Sequence, residues 1–128
     1  MTRSLNLHYL LPQPLRDTVL AVNRSLVECC ASEVDLTEHI PHVTLFMGVA
    51  RDGTIDLLRD ALHAQIPTIP RLRARVSRPY LKADRPKWAF MDVIPHDPII
   101  ALKHQLLAAV SNLIEPPTWN YPDEVPHI

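Results

Sequence analysis

The spacing of apolar residues divides the first half of the chain into two strands and a helix. Leu5 to Leu11 is predicted to be the first strand, because it is a short apolar run that ends at a proline. Residues 14 to 30 are predicted to form a helix whose apolar face contains Leu15, Val19, Val22 and Leu26. Residues 31 to 40 are polar and acidic, which indicates a loop. The apolar run from His42 to Val49 then predicts the second strand.

The second half of the chain predicts two further helices and two further strands. Thr54 is the expected N-cap of a helix that is lined by Ile55, Leu58, Leu62 and Ile66 and ended by Pro67. Arginine alternates with apolar residues from Arg71 to Arg78, which predicts a half-buried strand, and a second strand is expected from Lys87 to Ile94.

The third helix has the clearest apolar face. Asp97 and Pro98 are expected to be its N-cap and first-turn residues, and its apolar face contains Ile99, Leu102, Leu106, Val110 and Leu113. The predicted order is therefore β-α-β-α-β-β-α, followed by the beginning of another strand.

Composition narrows the classes of protein to consider. A chain of 128 residues suits one domain, and 47% hydrophobic residues are enough for a core. The net charge of -1 excludes a global basic field that would hold a long nucleic acid non-specifically. Cys29 and Cys30 are adjacent, which disfavours a disulfide and fits a reducing compartment. Neither a signal peptide nor a membrane span is recognisable, so the expected location is the cytoplasm.

The candidate chemistry lies in a short repeated segment. Pro41-His42-Val43 continues into Thr44 and Leu45, and Pro126-His127-Ile128 repeats its beginning. Side chains at i and i+2 of a strand share a face, so His42 and Thr44 are expected to project together. Imidazole exchanges a proton near neutral pH, and a threonine hydroxyl can donate to a phosphate oxygen. Two such strands facing each other would bracket a phosphoryl group between a base and an acid.

His42-Val43-Thr44-Leu45 resembles the His-x-Thr-hydrophobic signature of the two-histidine phosphoesterase superfamily. Within it the chain is most similar to the 2'-5' RNA ligase and RNA 2',3'-cyclic phosphodiesterase family. The resemblance implies an α+β fold with two lobes, built from antiparallel sheets and flanking helices. It also implies that His42, His127 and Thr44 are catalytic, and that neither a metal ion nor another cofactor is needed.

The implied activity is hydrolysis of RNA 2',3'-cyclic phosphate ends, with one histidine as base and the other as acid. Either histidine fits either role, and the reverse reaction would join two RNA ends through a 2'-5' link. The family's second threonine has no counterpart, because the sequence ends at Ile128. Residues 1 to 128 are therefore expected to be a single phosphoesterase-like domain that lacks its C-terminal strands and helix, as a piece of a longer protein.

The expected partners are RNA ends or nucleotide 2',3'-cyclic phosphates, with no membrane partner. Trp119 and Tyr121 precede His127 and are the candidates for stacking on a base, as single-stranded RNA sites often require. Lys82 and Arg85 occupy or flank a predicted loop, from which they could reach a phosphate. Trp88 lies within a predicted strand, so it is expected in the core.

Other interpretations of the same residues remain. A non-catalytic domain of this fold could bind RNA ends or another partner, and a phosphodiesterase could act on a small cyclic nucleotide. A third hypothesis is a metal site built from His39 and His42. His8, on the first strand, could line the cleft or pack on the surface. The basic edge of Arg71, Arg73 and Arg75 fits a solvated face better than an RNA contact.

Overall fold

Three helices and seven strands make up the described part of the chain in this computed structural model. It describes residues 3–30, 40–115 and 127–128, except for the side chains of Cys30 and residues 85–87. The helices are α1 (Gln13–Cys30), α2 (Ile55–Gln65) and α3 (Asp97–Val110), and a 3-10 turn, Ile66–Thr68, follows α2. The strands are β1 (Arg3–Leu10), β2 (His42–Ala50), β3 (Arg75–Val76), β4 (Tyr80–Lys82), β5 (Arg85–Phe90), β6 (Val93–Ile94) and β7 (Ile114–Glu115). All strand pairs among the described residues are antiparallel, and with the three helices they confirm the predicted α+β class.

The strands form one three-stranded sheet and two small two-stranded sheets. In the largest sheet β2 lies between β1 and β7. β1 pairs with β2 along its whole length, from Arg3 opposite Ala50 to Leu10 opposite His42, whereas β7 pairs only with Val49 and Ala50. β3 pairs with β6, and β4 pairs with β5 as a hairpin.

A β-bulge in β2 changes which positions of this strand face the core. Leu7 lies opposite Phe46, but the next residue, His8, lies opposite Thr44, so Leu45 is the additional residue. Leu45 and Phe46 are consequently both buried, although neighbours in a regular strand face opposite sides. The core face is formed by Val43, Leu45, Phe46, Gly48 and Ala50, and the opposite face by His42, Thr44, Met47 and Val49.

The core lies between β2 and the second and third helices. α3 packs against both β2 and α2. Its buried residues include Ile99, Leu102, Leu106 and Val110, as its apolar spacing predicts. Val19 of α1 is buried, and the most completely buried large side chains among the described residues are Phe46, Val110 and Ile114. Burial of this apolar surface is the main force that holds the fold together.

The predicted strand Arg71 to Arg78 is mostly wrong. Only Arg75–Val76 pairs, with Ile94 and Val93 of β6, and Arg71 and Arg73 are exposed. A period of two indicates an extended chain, but a strand also needs hydrogen bonds to a partner strand. The partner strand β6 is two residues long, so it pairs with two residues of this segment. The predicted strand Lys87 to Ile94 is likewise divided between β5 and β6.

The predicted N-cap position of α2 is confirmed, whereas that of α3 differs from the structure. Thr54 occupies the N-cap position of α2, but its hydroxyl donates to the Arg51 carbonyl at 2.6 Å, so it makes no side-chain cap. The N-cap of α3 is His96, which places Asp97 inside the first turn, where a carboxylate still favours the helix dipole. α3 ends at Val110, so Leu113 lies beyond it and leads into β7, a strand that the apolar spacing did not predict.

Candidate active site

His42 and Thr44 lie together at the start of β2, on the face turned away from the core. Both side chains are half-buried, whereas Val43 and Leu45 are buried on the opposite face. The predicted shared face of His42 and Thr44 therefore matches the observed strand. Nδ1 of His42 lies 2.7 Å from the carbonyl oxygen of Ile40. Because a carbonyl can only accept, Nδ1 carries the hydrogen and Nε2 of the neutral ring keeps its lone pair.

His127 is held beside the residues that link β5 to β6. It forms an isolated antiparallel bridge with Asp92, and the next residue, Ile128, exchanges two backbone hydrogen bonds with Met91, at 2.9 and 3.3 Å. The His127 ring meets the ring of Phe90 edge-on, with 5.2 Å between the ring centroids. Backbone pairing and a buried aromatic ring thus position this histidine together.

One cavity brings both copies of the repeated segment together. His42 and Thr44 line it from β2, and His127 and Ile128 line it from the end of the chain. It encloses about 970 Å³ of empty space, the solvent at its mouth included. The other wall residues come from helix α1 and from the segments around β2 and β5: Val19, Val22, Asn23, Leu26, Ile40, Pro41, Pro79, Trp88, Ala89, Phe90 and Met91.

The predicted substrate-binding residues are only partly described. Lys82 lies next to the cavity but not on its wall, with Nζ 4.5 Å from the ring centroid of Phe90, which does line it. The Arg85 backbone pairs with that of Lys82, and its side chain is not described. Trp119 and Tyr121 lie outside the described residues, as does His39, on which the metal hypothesis depends. Within the described ranges, no group of three or more His, Cys, Asp or Glu side chains is placed to hold a metal ion.

Trp88 was expected in the core, and this prediction is wrong. Its side chain is 42% exposed and lines the cavity, while Phe90, two residues later on the same face of β5, is 5% exposed. The two rings lie stacked with 6.4 Å between their centroids. The period of two predicts that Trp88 and Phe90 share a face of β5, but it does not predict which of the two rings is exposed.

The structure also assigns a place to His8, which the sequence left open. The His8 and His42 rings are in contact in a tilted arrangement, with 4.2 Å between their centroids and 31° between their planes. His8 is exposed, but loss of part of its hydration lowers the pKa of His8 below its usual value, and the nearby charge of His42 lowers this pKa further. His8 is thus a third imidazole at this site, although it is not part of the cavity wall.

None of the helices in the described ranges has the length and apolar content that a transmembrane span needs. Comparison with protein-family models, with curated proteins and with solved structures gives no match for this chain.

Proposed function

We propose that this protein is a metal-independent phosphodiesterase that opens RNA 2',3'-cyclic phosphate ends. The observation that supports the proposal is the convergence of His42, Thr44 and His127 on one cavity. Two titratable rings can supply the base and the acid of such a hydrolysis, and a hydroxyl can donate to a phosphate oxygen. The resemblance to the His-x-Thr signature gives the same expectation from the sequence.

In this mechanism water attacks phosphorus while one histidine takes its proton. The bond from phosphorus to the leaving ribose oxygen breaks, and the second histidine donates a proton to that oxygen. The Nδ1 hydrogen bond of His42 leaves the Nε2 lone pair available, which suits His42 to the base role and His127 to the acid role. Each proton transfer contributes about 10²–10⁴ in rate.

Thr44 would donate its hydroxyl hydrogen to a non-bridging phosphate oxygen and so stabilise the charge that grows there. Run in reverse, the same groups would join a cyclic phosphate end to a 5'-hydroxyl through a 2'-5' link. The exposed ring of Trp88 on the cavity wall favours a substrate that carries a nucleobase, since aromatic rings stack on bases. This observation fits both an RNA end and a smaller cyclic nucleotide.

The test is ring opening of a short RNA with a 2',3'-cyclic phosphate, measured in excess chelator. His42→Ala and His127→Ala are each expected to lower kcat by about 10²–10⁴. His63→Ala is the matched control, because His63 is exposed on α2 and lies outside the cavity. A His42→Ala variant that opens the ring as fast as wild type would contradict the proposal.

The same samples separate the alternatives. Binding of the RNA end without turnover would replace the proposal with a non-catalytic RNA-binding domain. Faster opening of a mononucleotide 2',3'-cyclic phosphate than of RNA would assign the small substrate.

A further inference from the structure

His8 faces the same side of the sheet as the two residues that β2 contributes to the site. It lies directly opposite Thr44 in the β1–β2 ladder, and its ring contacts that of His42 in a tilted arrangement, with 4.2 Å between the ring centroids. Side chains opposite each other in a ladder have Cβ atoms about 5 Å apart. A phosphate held between Thr44 and His42 would therefore lie close to His8.

This arrangement depends on the bulge in β2. Leu45 is the residue without an opposite partner, so the pairing moves from Leu7 with Phe46 to His8 with Thr44. Without that additional residue, continued pairing would place Leu45 opposite His8. The bulge thus brings one histidine of β1 onto the face of His42 and Thr44 while Phe46 stays in the core.

Apart from the histidines, the described side chains that line this face are uncharged, and Lys82 lies next to the cavity with Nζ 4.5 Å from the ring centroid of Phe90. The neighbouring side chains of the β1–β2 ladder are Asn6, Leu10, Thr44 and Met47, and those of α1 that line the cavity are Val19, Val22, Asn23 and Leu26. The segments around β5 supply Pro79, Trp88, Ala89, Phe90 and Met91, and the remaining titratable group on the cavity wall is His127. Within the described residues, the charge that affects the pKa of His8 is that of His42.

Two imidazole rings in contact interact differently according to their charge. A neutral ring over an imidazolium is favourable, because the ring face carries negative charge density and holds the partner ring in place. Two imidazolium rings at this distance repel each other, so protonation of one opposes protonation of the other. His42 gains a proton when it acts as a base, and this step is therefore helped by a neutral His8 and hindered by a charged one.

We infer that His8 is a positioning residue of this site. Its uncharged ring holds the His42 ring in place, and its protonation inactivates the site. The inference rests on the proposed function, in which His42 accepts a proton. It identifies an acid-sensitive control built into the first strand. Since the pKa of His8 lies below its usual value, the supporting, neutral form is the one present at pH 7.

Three variants at this position separate the ring from its charge. His8→Phe keeps a ring against that of His42 but cannot be protonated, so at pH 7.5 its kcat is expected to exceed that of His8→Ala. In wild type, log kcat/KM should fall at acid pH with a slope approaching 2, because both His8 and His42 must be neutral. In His8→Phe only His42 must be neutral, so the slope should be 1. His8→Ala removes the ring and is expected to lower kcat by up to about 10²-fold, with little change in KM. His8→Lys places a permanent charge beside His42 and should lower kcat/KM throughout the pH range.

A titration that needs no activity tests the coupling between the two rings. The ring protons of His8 are followed by NMR against pH in wild type and in His42→Phe, which keeps an aromatic neighbour and removes its charge. The pKa of His8 is expected to rise in the variant by less than half of its total depression, because burial is the larger cause.

The outcomes distinguish this inference from the proposed function. Identical His8 titrations in the two proteins, or an acid slope in His8→Phe equal to that of wild type, would overturn the inference even if the enzyme were fully active. A His8→Lys variant as active as wild type would overturn it as well. The absence of turnover in every variant would instead contradict the proposed function, and the NMR titration would still decide whether His8 and His42 are coupled.

Discussion

Tyr80→Phe should destabilise the protein, because it removes a hydrogen bond to Asp92, the residue that pairs with His127. The Tyr80 hydroxyl donates to Oδ1 of Asp92 at 2.6 Å, in a partly buried position. Asp92 is also the residue that forms the backbone bridge with His127. This hydrogen bond therefore attaches the β4–β5 hairpin to the chain segment that positions one of the two proposed catalytic histidines.

The expected cost is about 1.5 kcal/mol, which corresponds to about a tenfold change in the unfolding equilibrium constant. The distance is typical of a charge-assisted bond, and hydrogen bonds to charged groups contribute about 1.5–3 kcal/mol. We take the lower end of this range because Asp92 stays in place without the tyrosine. Its backbone exchanges hydrogen bonds with the backbone and hydroxyl of Ser77, both at 2.9 Å.

Urea unfolding at pH 7 measures this cost, and two further variants control it. Tyr9→Phe removes a phenol hydroxyl from a side chain that is 54% exposed, so it should change the stability by less than about 0.5 kcal/mol. In an Asp92→Asn background the charge is gone and Tyr80→Phe should cost about half as much, since charge-assisted bonds are about twice as strong. Equal costs in both backgrounds, or no cost in wild type, would refute the reasoning.

Two further predictions concern the sheet. A Cβ added at Gly48 would lie 3.0 Å from Cδ1 of Ile114. Gly48→Ala should therefore destabilise the protein by about 1 kcal/mol, because the cost of overpacking exceeds the gain from a lower entropy of the unfolded chain. Ile114→Val removes Cδ1, so the double variant should be more stable than the sum of the single effects implies, and additive values in urea unfolding would contradict this contact. His8 has a lowered pKa in the folded state, so its contribution to stability is complete above pH 6.5 and is lost as the pH falls through that value toward the folded pKa. His8→Phe should therefore flatten the decline of unfolding free energy between pH 7 and pH 5, and an unchanged slope would argue against this linkage.

The parts of the fold with strong apolar periodicity were predictable from the sequence. The three helices lie where their apolar faces indicated, because burial of such a face is a local pattern with a global result. The shared face of His42 and Thr44 followed from the period of two in a strand. The meeting of His42 and His127 at one cavity was suggested only by the repeated Pro-His segment, and no local rule fixes a contact between such distant residues.

The errors share one physical cause, which is that pairing and burial depend on partners elsewhere in the chain. The alternation from Arg71 to Arg78 has the period of a strand, but the partner strand covers only Arg75–Val76. The bulge at Leu45 carries no glycine or proline signal, because the pairing with β1 creates it. His8 could be assigned to the site only after that pairing was known.

Because of the additional residue Leu45, the positions of β2 that face the core change from odd-numbered to even-numbered along the strand. Odd-numbered positions fill the interior before it and even-numbered positions do so after it, as Val43 and Phe46 illustrate. Exchanging His42 or Thr44 for other polar residues therefore leaves the interior packing untouched. Natural variation can alter the chemistry of this strand without endangering the scaffold, and the strand is a suitable starting point for installing new reactivity by directed evolution.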